Sequence, residues 1–125
     1  MDKFEAQHAF WSSFGVPAYE ENSVPDEPTL KELGVSQYIT YQKTNGIFGA
    51  SAVVNPRIWT RSESWNDADA LELALQQRLE KGDHRIFYSG GMIWATPEEN
   101  FAQSIGDPDN PLIKGYRLAV RLQFA

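Results

Sequence analysis

The chain has 125 residues, 42% hydrophobic and 22% charged, with a net charge of −6 and no cysteine. That balance describes one globular domain, long enough to hide roughly two-thirds of its unfolded surface, and it excludes disulfides, thiolate metal sites and cysteine redox chemistry. A chain of this charge is a poor general ligand for phosphate backbones, which draw on clustered Lys and Arg.

Residues 2–14 predict a first helix. Phe4, Trp11 and Phe14 share one face, Asp2 and Glu5 suit the positive end, and Gly15 with Pro17 marks the stop. The opening MDKFEAQHAFW holds acids and no apolar leader core, and no run of about eighteen apolar residues follows. A soluble, intracellular domain without export or membrane segment is therefore expected. From Val16 to Val35, three prolines (Pro17, Pro25, Pro28) and the acids Glu20, Glu21, Asp26 and Glu27 break any period. This stretch reads as a long connection and a candidate contact arm.

QYITYQK at 37–43 has the β-branched and aromatic content of a strand. The next stretch, to Pro56, fits either a loose loop or a long hairpin arm. RIWTRS at 57–62 alternates Ile58 and Thr60 against Arg57, Trp59 and Arg61 and predicts a second strand. SWND from Ser64 resembles a weak capping box, opening a second helix on which Ala68, Leu71, Leu75 and Leu79 form one stripe. Asp67 and Asp69 suit its first turn, and Arg78, Lys81 and Gly82 its last.

RIFY at 85–88 and MIWA at 92–95 flank Ser89-Gly90-Gly91 as two strands of a tight hairpin. Phe101, Ala102 and Ile105 suggest a single helical turn before the turn-rich GDPDNP, a candidate functional loop. In KGYRLAVRLQF, Tyr116, Leu118, Val120, Leu122 and Phe124 face one way, and Arg117, Ala119, Arg121 and Gln123 the other. The sum is a single α+β domain over residues 1–125. Its expected order is α-β-β-α-β-β-β, an antiparallel sheet of about five strands with two helices packed on one face.

Chemical motifs are sparse. His8 and His84 lie far apart without a third ligand at metal spacing, and no GxSxG, HExxH, P-loop or GxGxxG pattern occurs. The acids of the 20–27 stretch, and Glu98, Glu99, Asp107 and Asp109, lack the spacing of a calcium loop. The four tryptophans, Trp11, Trp59, Trp65 and Trp94, are scattered like core and interface anchors. No catalytic residue, cofactor or metal is expected. Arg57 and Arg61 share a parity, as do Arg117 and Arg121, so each pair points to one sheet face. This basic stripe is either a solvated face or a candidate subunit interface that meets Glu20, Glu21, Asp26 and Glu27 of a neighbouring copy.

AFWSSFGVPAYEENSVPDEPTL, then QYITYQ, then IWTRSESW at a helix entry, resembles a family from tailed-phage morphogenesis clusters, the tail-terminator or tail-completion proteins. The likeness runs in order from Phe10 to the last strand and includes FAQSIGDPDNPLIKGYRLAVRLQF. Its strongest pieces are FGVPAYEENSVP, YITY and RSESW; the insertion-like LKELGVS and the apolar 47–54 stretch depart from it. The resemblance implies a non-enzymatic virion structural protein of a phage or prophage. It implies a homo-oligomeric ring, typically a hexamer, that caps the tail tube, stops its polymerisation and offers a docking face to the head. The implied partners are other copies, the tail-tube protein and the head–tail connector. DNA enters only as cargo passing an acidic lumen, and no membrane is involved. The implied location is the virion tail at the head–tail junction, reached from the host cytoplasm during assembly.

Three rivals remain. A head-completion or neck protein shares size and ring geometry, a small ligand-binding module or enzyme would gather His84, Glu98 and Asp107, and a regulator would bind host proteins through the long loop.

Overall fold

The computed structural model describes residues 1–81 and 85–125. Its elements are α1 (Lys3–Ser12), β1 (Ala18–Glu20), α2 (Glu27–Glu32), β2 (Gln37–Tyr41), β3 (Ser51–Val54), β4 (Arg57–Arg61), α3 (Asn66–Glu80), β5 (Arg85–Tyr88), β6 (Gly91–Asp107) and β7 (Asn110–Phe124). The strands form one sheet in the order β1-β2-β4-β7-β6-β5, with β3 beside β7 on the same edge as β4.

The alternation of the C-terminal segment makes β7 the strand on which the sheet is built. It pairs with β6 along one edge and with β4 and β3 along the other. The pairings Val54↔Val120 and Arg57↔Arg117 keep one register, so β3 and β4 are a single ribbon interrupted at Asn55-Pro56. Proline has no N–H to give the ladder. The Asn55 side chain supplies the missing donor, its Nδ2 reaching the Leu118 carbonyl at 2.9 Å, while the Leu118 N–H donates to the Pro56 carbonyl at 2.8 Å. The break thus leaves no orphan on the central strand. Close approach is built in at Gly115, opposite Trp59, where any Cβ would fall 2.1 Å from the Ile58 carbonyl oxygen.

The apolar row of β7, Leu118, Val120, Leu122 and Phe124, is buried with Ile39, Ile58, Ile93 and Ala95 under α1 and α3. As the sequence predicts, Ala68, Leu71, Leu75 and Leu79 are the buried stripe of α3. Arg78 ties the end of α3 to that of α1: its guanidinium donates to Ser13 Oγ at 2.6 Å and lies 4.6 Å from the Phe14 ring centroid. On the other side of α3, the Tyr116 hydroxyl donates to Asp69 at 2.5 Å. That bond, helped by burial and by the negative charge of Asp69, pushes the Tyr116 phenol up to about 12.

The α+β class holds, but the architecture is richer than expected. The described residues contain seven strands where about five were predicted and three helices where two were. The sheet is not wholly antiparallel, because β1 runs parallel to β2, and the helices do not share one face. α1 and α3 cover the core, whereas Leu30 and Glu27 of α2 lie with Tyr38, Trp59 and Arg61 on the opposite side. The long connection expected over 16–35 therefore holds two elements. Asp26 caps α2 by accepting the Thr29 N–H at 3.0 Å; hydrogen bonding from the Thr29 hydroxyl, and then from its N–H, holds the Asp26 carboxyl below its ordinary value.

Three further expectations change. The buried face of α1 is Ala6, Gln7, Phe10 and Trp11, which leaves Phe4 on the rim, 41% exposed. The Ser64 capping box does not form: α3 starts after Trp65 with no side-chain cap, and Ser64 Oγ accepts only from the Asn66 N–H, at 3.3 Å. The segment 100–111 is not a helical turn and loop. Residues 102–106 pair with β7, a bulge after Pro97 turns Phe101 inward, and Pro108-Asp109 make the hairpin tip. The Ser89-Gly90 hairpin is as expected, with Gly90 at φ +98°. Gly82 and His84 lie outside the described residues.

Gln7 is 1% exposed. Its Nε2 donates to the Thr44 carbonyl at 2.7 Å and its Oε1 accepts the Thr44 N–H at 3.1 Å, clamping the 42–50 segment to α1. Gln7→Met keeps the volume and strands both Thr44 groups. The expected loss is about 2 kcal/mol of stability, read as a lowered urea midpoint with unchanged slope.

Candidate functional site

The four predicted arginines do share the outer face of the sheet, the side turned away from α1 and α3. Arg57 and Arg117 are direct cross-strand partners, Arg61 faces Ile113 four pairs to one side, and Arg121 faces Val53 and Thr96 four positions to the other. The stripe is not uniformly free. Arg61 at one end is paired with Glu27. At the other end Arg121 Nε donates to Glu98 Oε1 at 2.7 Å and its Nη1 to Ser51 Oγ at 2.9 Å. In the middle Arg117 has only the Asn55 amide oxygen, at 3.1 Å, and Arg57 has no hydrogen-bond or ion-pair partner among the described residues. Like charges directly opposite on neighbouring strands repel, so the fold holds an uncompensated basic centre between two neutralised ends.

The predicted acids are mostly occupied at home. Glu20 accepts from the Asn22 N–H at 2.9 Å, Glu21 from Gln42 Nε2 at 3.3 Å, and Asp26 caps α2. Of the eight proposed interface residues, the structure brings together Arg57 with Arg117 as cross-strand neighbours and Glu27 with Arg61 as an ion pair.

Two further surface features lie outside the predicted arginine stripe. One is a groove of about 400 Å³ between α2, the Ser36–Tyr38 approach to β2, and the tip of the β6–β7 hairpin. Its walls are Leu30, Val35, Tyr38, Trp59 and Ile113, and Glu27, Lys31, Arg61 and Asp107 stand around it. The volume is at the lower end of the range for clefts that take a ligand or an anchoring side chain. The other is Ile47-Phe48, 82% and 86% exposed. The turn carrying them is firmly held: the Gly49 N–H donates to the Phe124 carbonyl at 2.7 Å, the Ala50 N–H to the Ile47 carbonyl at 2.9 Å, and Lys3 Nζ to the Gly46 carbonyl at 2.9 Å. Single exposed apolar residues are ordinary; here two adjacent ones are held on a fixed turn. The signal was present in the apolar 47–54 stretch, without the burial that would have ranked it.

Of the residues that a small enzyme would gather, two are described. Glu98 is bonded to Arg121, Asp107 stands nine positions further along β6 at the hairpin, and His84 lies outside the described residues. His8 shares a hydrogen bond of 2.9 Å between its Nδ1 and the Tyr41 hydroxyl. Among the described residues no group of three or more His, Asp or Glu could hold a metal ion, and no helix is long and apolar enough to cross a membrane.

No family model, curated protein or solved structure matches the chain.

The basic centre carries a measurable cost. Arg117→Glu places opposite charges at the Arg57↔Arg117 pair and is expected to raise stability by about 0.5 kcal/mol, within the range of cross-strand charge pairs. Denaturant titration checks this, and a destabilised variant would show that Arg117 is held by more than Asn55.

Proposed function

We propose that the chain is the subunit of a phage tail-terminator ring, a non-enzymatic virion protein that caps the tail tube, stops its growth and presents a face to the head. The observation that carries this reading is the ordered likeness from Phe10 to the last strand. Its geometry adds support, because the segments carrying the likeness meet at one end of the sheet. Pro25 from FGVPAYEENSVP, Tyr38 from YITY, and Arg61, the first residue of RSESW, line the same groove.

The surface is suited to assembly. A closed ring of identical subunits needs two different, complementary patches on each copy; the outer face offers a groove and an uncompensated basic centre, and the α1 side carries the exposed apolar turn. Charge on such a face sets register and steers encounter more than it sets affinity. The ring is proposed as a hexamer whose partners are the tail-tube protein on one side and the head–tail connector on the other. A chain of net charge −6 would line a passage for DNA without holding it. In this reading the protein acts at the head–tail junction of the virion after assembly in the host cytoplasm.

Adding purified protein to polymerising tail-tube subunits of the same phage tests the reading. Shortened tubes with the protein at their ends are expected. Unchanged tube lengths with no protein bound would end the proposal, and binding to the connector but never to the tube would assign the chain to the neck instead.

A further inference from the structure

Two patches of like charge lie on opposite layers of the domain. On the outer face, the row across the centre of the sheet runs Tyr19, Thr40, Arg57, Arg117 and Gln103, two bases and no acid. On the inner side, α3 carries Asp67, Asp69, Glu72 and Glu80 against the single base Arg78. At 3.6 residues per turn, Asp69, Glu72, Gln76 and Glu80 make one flank of that helix. Arg78 lies on the other flank, turned to Ser13 and the Phe14 ring. None of Asp69, Glu72 and Glu80 has an ion-pair partner among the described residues. Burial, and then the charge of Asp69, push the Glu72 carboxyl up, the response of an acid held beside another with no cation between them.

We propose that this acidic flank of α3 in one copy docks on the centre formed by Arg57 and Arg117 of the next, as the head-to-tail contact of the assembly. The acids expected to meet the arginines, Glu20, Glu21, Asp26 and Glu27, are engaged within their own chain. The sheet stands between α3 and the arginine centre, so the two patches meet only across copies. The contact deepens the ring reading and rests on it for closure, since two different patches on one subunit generate either a closed ring or an open filament.

The spacing agrees with the charge. Cross-strand neighbours hold Arg57 and Arg117 about 5 Å apart at Cβ, and residues three apart on a helix hold Asp69 and Glu72 about 5–6 Å apart. Asp69 accepts from the Tyr116 hydroxyl and keeps further acceptor sites for a guanidinium. Beside the flank, Leu73 is 51% exposed. On β7 the small Ala119 stands between Arg117 and Arg121 on the outer face, a gap in which Leu73 would seat. Each patch repels itself in the free chain, and the contact relieves both.

Charge reversal in the full-length chain, read by sedimentation, tests this contact. The wild-type protein should associate beyond the monomer at about 50 mM salt and less at about 500 mM, where exposed charges are screened. Arg57→Glu with Arg117→Glu, and separately Glu72→Lys with Glu80→Lys, should each weaken association by at least about tenfold. Mixed in equal amounts, the two double variants should associate again, because the native flank of one meets the native arginines of the other and the two reversed patches meet each other. That recovery also shows that both fold. Where a reversal fails to fold, the neutral variants Arg117→Gln and Glu72→Gln should each weaken association, and neutral variants that associate like the wild type overturn the proposal. So do a wild-type chain that stays monomeric at low salt, reversals that leave association unchanged, and folded reversals whose mixture does not recover. If the arginine reversal blocks tube capping while association is unchanged, the basic centre docks the tube or the connector and this proposal also falls. The two readings fail separately: rescue by mixing in a protein that never caps tubes removes only the terminator role, and capping that both reversals leave intact removes only the contact of α3 with the sheet.

Discussion

The two-sided pairing of β7 is the constraint on which the other features depend. Because its neighbours hold it along both edges, its side chains have only two destinations. A slip of one residue would exchange them, sending Arg117 and Arg121 inward and Leu118, Val120, Leu122 and Phe124 to solvent. Each of those apolar side chains is worth about 1.5–3 kcal/mol when buried, and an unpaired buried guanidinium costs several more. The register is therefore fixed by the core. The like-charge pair Arg57↔Arg117 follows from it, a surface arrangement that the core imposes and the surface alone would not choose.

Much of this was legible wherever one segment carries its own periodicity. The stripe of α3, the alternation of β7 and the glycine hairpin between β5 and β6 follow from local pattern, and so does the shared parity of the arginines within each of the two strands. What escaped depends on partners distant in sequence. β1 has three residues and is a strand only because β2 lies beside it, and residues 102–106 have little strand pattern but are recruited by β7. α2 did leave a signature, Asp26 as cap, Pro28 in the first turn and Gly34 after the end, but its prolines and acids resemble a loop when read as composition. Gln7 was invisible for the same reason as β1: a glutamine among aromatics on a helix reads as polar surface until Thr44 is placed opposite its amide.

The candidate site shows the same division. Alternation placed the arginines on one face but could not foresee that Glu27 and Glu98 would neutralise the two ends and leave the centre free. It also could not rank Ile47 and Phe48, since exposure depends on how the chain returns to β7. For the proposed ring these distinctions matter. Exposed ion pairs contribute little energy, so Arg61 and Arg121 serve mainly to hold the face in shape, whereas orienting a neighbouring copy would fall to the unneutralised Arg57 and Arg117.

Electron cryomicroscopy of tail tubes grown in the presence of the protein tests the proposed role most directly. A terminator should appear as one closed ring of identical copies at a tube end, each copy touching its neighbour through two different surfaces. Density distributed along the tube wall, or bare tube ends with the protein in solution, would contradict that role.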